Sequence, residues 1–209
     1  MAAARGTSRH VQDYQIIKPG EHFGGLKTTW SRKRIRPVLR AANLARLTEY
    51  LKAHPLGDIE IGEHLKFPEA GVVGEYLPDP KRVKLEASPQ RLTFEKKLSP
   101  GNNETVAESA QSLAGALQRG FIHEVSHHML WQSGAMAESE SEVRDIINGA
   151  LRHADAYRTH FSTYAADSWK EYFCETHTAY VFEPEELQKF DPVGYNMVEQ
   201  VRSKLGVWR

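Results

Sequence analysis

The pattern of hydrophobic and polar positions changes along the chain, and each pattern predicts a different element. Hydrophobic residues recur at helical spacing over residues 37–51, which predicts a helix of about four turns with Pro37 in its first turn. Alternating or short apolar runs then predict strands, at 58–62, 72–77, 82–86 and 92–94. Two prolines around an aspartate separate the second strand from the third, so we expect a hairpin there.

Helical periodicity dominates the rest of the chain. Thr105 and Glu108 form a candidate capping box for a long helix, along which one apolar ridge runs at i, i+4 spacing through Leu113, Leu117, Phe121 and Val125. Further helices are predicted at about 139–153, 168–181 and 193–205. The sequence therefore predicts an α+β fold, with a small sheet and helices in the N-terminal half and a mostly helical C-terminal half.

Length and composition fit one soluble domain. The chain has 209 residues, of which 40% are hydrophobic and 26% charged, so wholesale disorder is excluded. No apolar segment is long enough for a transmembrane helix. Cys174 is the only cysteine, which excludes an internal disulfide and a cysteine-rich zinc module. We expect Cys174 to be buried and to pack as a small hydrophobic residue.

Charge is unevenly distributed, although the formal net charge is zero. Residues 1–40 contain nine basic and two acidic residues, and 1–35 are predicted to be a basic, flexible arm ahead of one domain over 36–209. Such an arm could contact nucleic acid or anionic lipid, but the overall balance argues against nucleic acid as the main partner. No apolar stretch follows the basic start, so a Sec signal is not expected.

The long helix carries an H-E-x-x-H motif, His123-Glu124-Val125-Ser126-His127. At 3.6 residues per turn, the two histidines lie on one face and one turn apart, where both can bind one Zn²⁺ ion. Glu124 lies beside them and could act as a general base. The alternative is a helix that carries histidines on its surface by chance, which the neighbouring His128 makes reasonable.

A catalytic zinc site needs a third protein ligand, which the sequence offers further along the chain. Glu171 and Glu175 are spaced i, i+4 on a predicted helix, so one could bind the metal while the other orients a ligating histidine. The alternative is structural, because Ser168 and Glu171 also fit a capping box.

These residues resemble the catalytic domain of anthrax lethal factor and its relatives, which are zinc metalloendopeptidases. The resemblance covers roughly residues 105–205 and consists of H-E-x-x-H followed, about forty residues on, by a tyrosine seven positions before E-[YF]-F-x-E. In this chain the tyrosine is Tyr164, and the second motif is Glu171-Tyr-Phe-Cys-Glu175.

The resemblance implies a zincin-like domain with one Zn²⁺ ion bound by His123, His127 and Glu171. It implies that Glu124 is the general base. It also implies that Glu175 does not bind the metal itself but hydrogen-bonds to a residue that does. Tyr164 would donate a hydrogen bond to the oxyanion, as a phenol near developing negative charge can; the alternative is an ordinary half-buried aromatic residue.

At the level of the whole protein, the resemblance implies cleavage of a protein substrate by a secreted toxin or an effector delivered without a Sec signal. The alternative location is the cytoplasm of the producing cell. The hairpin over 72–86 would hold the substrate as an extra antiparallel strand, or would serve only as scaffold.

Two other readings follow from the same residues. The first is a non-enzymatic phage or secretion-apparatus component with a structural or vestigial metal, for which a closed site with a fourth ligand is expected; the fourth ligand would be His128, His160 or His177. The second is a nucleic-acid-associated protein that uses the basic arm.

Overall fold

A four-stranded sheet and seven helices make up the part of the chain that the computed structural model describes. This part comprises residues 23–28, 32–68, 72–87, 113–137, 139–154, 165 and 167–207. The sheet lies in the N-terminal half and the C-terminal half is helical, so the predicted α+β class is confirmed. Among the described helices, none is long and apolar enough to cross a membrane.

The sheet is mixed, and its one antiparallel strand lies at an edge. Its strands occur in the order β1-β2-β4-β3, with bounds β1 Phe23–Thr28, β2 Leu56–Gly62, β3 Gly74–Leu77 and β4 Arg82–Glu86. Strands β1, β2 and β4 are parallel, whereas β3 pairs antiparallel with β4. The predicted hairpin is therefore confirmed. The strand expected at 92–94 and the capping box at Thr105 lie outside the described residues.

Strand β1 lies within the segment 1–35 that was expected to be a flexible arm, and that expectation is wrong for residues 23–28. β1 pairs in parallel with β2 and buries Leu26. Its glycines resemble loop residues in the sequence, but they serve close strand packing. A Cβ at Gly24 would lie 2.9 Å from the carbonyl oxygen of Gly57. Residues 1–22 lie outside the described part of the chain.

The helix predicted over 37–51 is two helices, α1 Arg32–Leu44 and α2 Thr48–Ala53. The chain breaks between them at Arg46, which has a left-handed φ of 53°. Helix α1 begins before Pro37, which lies inside it, because Ile35 is fully buried and extends its apolar face upstream.

The C-terminal half contains helices α3 Leu113–Gln132, α4 Glu142–His153, α5 Trp169–Phe182, α6 Pro184–Phe190 and α7 Pro192–Lys204. Helices α4, α5 and α7 lie close to their predicted positions. Side chains at Ser141, Ser168 and Asp191 cap them by accepting hydrogen bonds from backbone amides. Helix α6 was not predicted; it is seven residues long and starts with a proline, so it carries little periodic signal.

Helix α3 is the central helix of the fold. The predicted ridge is buried at Leu117, Phe121 and Val125, but α3 buries other faces as well. It packs against α1, α5 and the hairpin β3–β4. The H-E-x-x-H segment is therefore held between the edge of the sheet and α5.

Candidate metal centre

His123 and His127 project from the same face of α3 toward one point. Their Nε2 atoms lie 3.2 Å apart, and their side chains are 11% and 18% exposed. The expected i, i+4 geometry therefore brings two imidazole nitrogens together in a largely buried position.

Helix α5 brings Glu171 to the same point. The hydroxyl of Ser168 accepts a hydrogen bond from the Glu171 amide at 3.2 Å, so Ser168 caps the helix. The Glu171 carboxylate instead faces the histidines, with Oε2 3.1 Å from His123 Nε2 and Oε1 3.4 Å from His127 Nε2. The cap and the site both use Glu171, one through its backbone and the other through its side chain.

The spacing of these atoms is comparable to the spacing of donor atoms around a small metal ion. Ligand atoms about 2.0–2.1 Å from zinc at tetrahedral angles lie about 3.3–3.4 Å from one another. His123 Nε2 lies 3.2 Å from His127 Nε2 and 3.1 Å from Glu171 Oε2, whereas His127 Nε2 lies 3.4 Å from the other carboxylate oxygen, Oε1. Glu171 Oε2 is also buried, and the polar group that faces it is His123 Nε2 at 3.1 Å, so a cation bound between the two would satisfy both. These residues therefore fit a bound divalent ion.

Glu175 contacts the other side of the His123 ring. Its Oε1 atom lies 2.7 Å from His123 Nδ1, so Nδ1–H donates to the carboxylate. This hydrogen bond fixes the ring and directs Nε2 toward Glu171 and His127. A carboxylate in this position orients a ligating histidine and makes it a stronger donor.

The charges of this cluster stabilise one another. Burial alone would raise the pKa of Glu171, but the facing His123 and His127 rings lower it to about 2. Burial opposes a charge on His123, yet Glu171 and Glu175 raise its pKa well above the usual range. The centre thus favours positive charge at the point where the nitrogens and the carboxylate meet.

Glu124 lies beside this point and under the edge strand. Its side chain is buried, and burial raises its pKa against the opposing effect of His123 and His127. A Cβ at Gly74 in β3 would overlap Glu124 Oε1, so the strand passes directly over the carboxylate. A poorly solvated carboxylate with a raised pKa next to a candidate metal site is suited to accept and return a proton.

The structure also brings Cys174 to the centre, which the sequence did not predict. Cys174 is fully buried, as expected, and burial raises its pKa well above the usual range. However, its sulfur and one nitrogen each of His123 and His127 all lie within 4.8 Å of one another. The signal in the sequence was the spacing of residues 171, 174 and 175, which share one helix face.

Two histidines proposed as a fourth ligand are engaged elsewhere. His128 Nε2–H donates to the carbonyl of His54 at 2.8 Å, and its Nδ1 accepts from the Tyr76 hydroxyl at 2.9 Å. His177 lies between Ser126 and Arg202. His160 and Tyr164 lie outside the described residues, so their expected roles stay predictions.

Comparisons of this chain with protein-family models, with curated proteins and with solved structures find no match. His123, His127 and Cys174 form a cluster that could hold a metal ion, and the Glu171 carboxylate faces both histidines.

Proposed function

We propose that this chain is a zinc-dependent metalloendopeptidase with a zincin-like site. The observation that carries the proposal is the convergence of His123 Nε2, His127 Nε2 and the two carboxylate oxygens of Glu171, at separations of 3.1–3.4 Å. Glu124 adds the buried carboxylate that hydrolysis requires. The same four residues belong to the motifs that, with Tyr164 and Glu175, carry the resemblance to the lethal factor family.

Each residue of the proposed site has a separate task. When bound, zinc supplies Lewis-acid polarisation of a carbonyl and lowers the pKa of a water molecule. Glu124 accepts a proton from the attacking water and passes it to the amine of the leaving group. Glu175 holds the His123 ring, and Tyr164 would donate a hydrogen bond to the developing oxyanion.

Strand β3 is the proposed binding place for the peptide. Within the described part of the chain, β3 has a neighbouring strand on one side only, because it lies at the edge of the sheet. Its first residue, Gly74, lies against Glu124. An extended peptide pairing with the outer edge of β3 would pass beside the general base and the metal ligands.

The biological setting is proposed from the resemblance alone. Relatives of lethal factor are mostly secreted toxins or effectors, so we propose a protein substrate and delivery into a target cell without a Sec signal.

Hydrolysis is tested with a mixed peptide library on zinc-loaded protein, by comparing the wild type with Glu124→Gln. Loss of the general base should lower the cleavage rate by at least about 10²-fold while zinc stays bound, because Glu124 is not a ligand. Glu185→Gln, an exposed carboxylate on α6, is the matched control and should leave cleavage unchanged. Full activity in Glu124→Gln would refute this mechanism.

A second candidate is a non-enzymatic protein with a structural metal, such as a phage or secretion-apparatus component. The sulfur of Cys174 beside His123 and His127 favours it, because four side-chain donors would close the site. Wild-type protein that holds one zinc ion per chain but cleaves no peptide in the library would establish this reading over the first.

A further inference from the structure

Cys174 is a sulfur donor beside a centre otherwise built from nitrogen and oxygen. Its Sγ atom belongs to a group of three potential ligand atoms, with nitrogens of His123 and His127, that all lie within 4.8 Å of one another. It is fully buried on α5, between Glu171 and Glu175 in the sequence. Burial shields this sulfur from solvent and leaves it close to the proposed metal position.

We propose that Cys174 Sγ binds the metal as an additional ligand, an inference that rests on the metal centre of the proposed function. With zinc about 2.3 Å from sulfur and about 2.0–2.1 Å from nitrogen, a tetrahedral site places the two donors about 3.6 Å apart. In the structure the sulfur and the two nitrogens lie within 4.8 Å of one another, which is an upper bound on their separation. Rotation of the Cys174 side chain about its Cα–Cβ bond is the adjustment by which the sulfur would reach the metal.

Two further observations at the same place point to a cation that attracts the sulfur. Glu171 Oε2 is buried and lies 3.1 Å from His123 Nε2, and Oε1 of the same carboxylate lies 3.4 Å from His127 Nε2. Glu124 is 5% exposed and contributes a second buried carboxylate beside the histidines. A divalent ion would compensate these groups, and a metal also makes a nearby thiol release its proton.

The coordination step is a ligand exchange. The Cys174 S–H bond breaks as the sulfur–metal bond forms, the proton leaves to solvent, and no electron is transferred. The thiolate and the Glu171 carboxylate together balance the charge of a divalent ion. A thiolate bound there takes the position that a catalytic zinc site keeps for water, so Cys174 and water would compete for the metal and only the water-bound form would hydrolyse a peptide.

The test is the absorption spectrum of the full-length, untagged chain loaded with Co²⁺, without thiol reductants. Tetrahedral Co²⁺ gives visible d–d bands, and a bound thiolate adds charge transfer from sulfur to metal in the near ultraviolet. Because the chain contains one cysteine, a thiolate band can arise only from Cys174. The expected result is both sets of bands, with both lost when Zn²⁺ displaces the cobalt.

Cys174→Ser and Cys174→Ala are the matched variants, one similar in size and one without a hydroxyl. Both should keep the d–d bands and lose the near-ultraviolet band. Cobalt bound to wild type without charge transfer, or a band that persists in either variant, would overturn the sulfur ligand alone. Wild type that binds no Co²⁺ would overturn the metal centre of the proposed function, and the sulfur ligand with it.

Discussion

At the scale of single residues, the two nitrogens of His123 have different partners. Nδ1 donates to Glu175, while Nε2 points at Glu171 and His127. We expect Glu175→Gln to weaken zinc binding by about 10–100-fold. A neutral amide hydrogen-bonded to Nδ1–H makes the His123 ring a weaker zinc ligand than a carboxylate does. Competition with a chromogenic chelator measures the affinity.

The control for this variant is Glu185→Gln, which removes an exposed carboxylate on α6 and should leave the zinc affinity unchanged. An affinity of Glu175→Gln equal to that of wild type would contradict the supporting role of Glu175.

Gly74 is the residue that lets β3 pass over Glu124. A methyl group at this position would overlap Glu124 Oε1, so Gly74→Ala must displace either the carboxylate or the strand. We expect peptide cleavage to fall by at least about tenfold, since small displacements of catalytic groups are costly, with zinc content unchanged.

Gly149→Ala is the matched control, because a Cβ there meets only Arg152 Nη2, at 3.8 Å. In helix α4 this substitution should stabilise the protein by up to about 1 kcal/mol. If Gly74→Ala cleaved peptides as fast as Gly149→Ala, the proposed role of Glu124 beneath β3 would be wrong.

The residues brought together by local spacing could be predicted, and those brought together by packing could not. The helical period alone places His123 and His127 on one face. The choice between Glu171 and Glu175 needed the orientation of α5 against α3, which the sequence left open. Cys174 was predicted only as a buried residue, because its distance from the histidines depends on the same packing.

At the scale of elements, a hydrogen-bond chain fixes β3 to α3. The Tyr76 hydroxyl donates to His128 Nδ1 at 2.9 Å, and His128 Nε2–H donates to the His54 carbonyl at 2.8 Å. Tyr76→Phe leaves the buried Nδ1 acceptor without its donor, so we expect a loss of about 1–3 kcal/mol in the free energy of unfolding, measured with urea.

Tyr50→Phe is the matched control, since the Tyr50 hydroxyl is buried without a hydrogen-bond partner. Its removal should be neutral or stabilising. Equal destabilisation by the two substitutions would show that the bond between Tyr76 and His128 contributes nothing specific.

The elements that the sequence missed are those with weak periodic signals. Strand β1 contains two adjacent glycines, which favour a loop when only neighbouring residues are considered. Its stability comes from parallel pairing with β2, which lies about 30 residues further along the chain. The break between α1 and α2 depends on the left-handed conformation of Arg46, a residue that seldom adopts it. In contrast, α5 and α7 have strong caps and were predicted closely.

At the scale of the whole molecule, a buried polar network connects three helices and the end of α1. Ser126 in α3 accepts from His177 Nδ1–H, and His177 Nε2 accepts from Arg202 in α7. Arg202 also donates to the carbonyl of Ala45. The network therefore holds the C-terminal helix against the helices of the metal centre.

This network makes the stability depend on pH. Burial, with the charge of Arg202, lowers the pKa of His177 well below its usual range. The unfolded chain therefore binds a proton below about pH 6.5 that the folded chain does not, and stability falls with decreasing pH. One such histidine contributes up to about 1.4 kcal/mol per pH unit.

We expect the free energy of unfolding to decrease between pH 7 and pH 5. In His177→Gln the dependence on pH should be weaker by the contribution of one proton, which is up to about 1.4 kcal/mol per pH unit. Burial also lowers the pKa of His128 to about 4, so part of the slope should persist. His153→Gln, at an exposed position, is the control and should keep the wild-type slope. An unchanged pH dependence in His177→Gln would contradict the view that buried, neutral His177 lowers the stability at acidic pH.

The metal centre is the central claim, and zinc content tests it most directly. Elemental mass spectrometry on untagged protein would be run beside Glu171→Ala and the control Glu185→Ala. The account predicts one zinc ion per chain in wild type and control, with binding weakened in Glu171→Ala. Wild-type protein without zinc after reconstitution would contradict it and would reduce the paired histidines to a structural feature of α3.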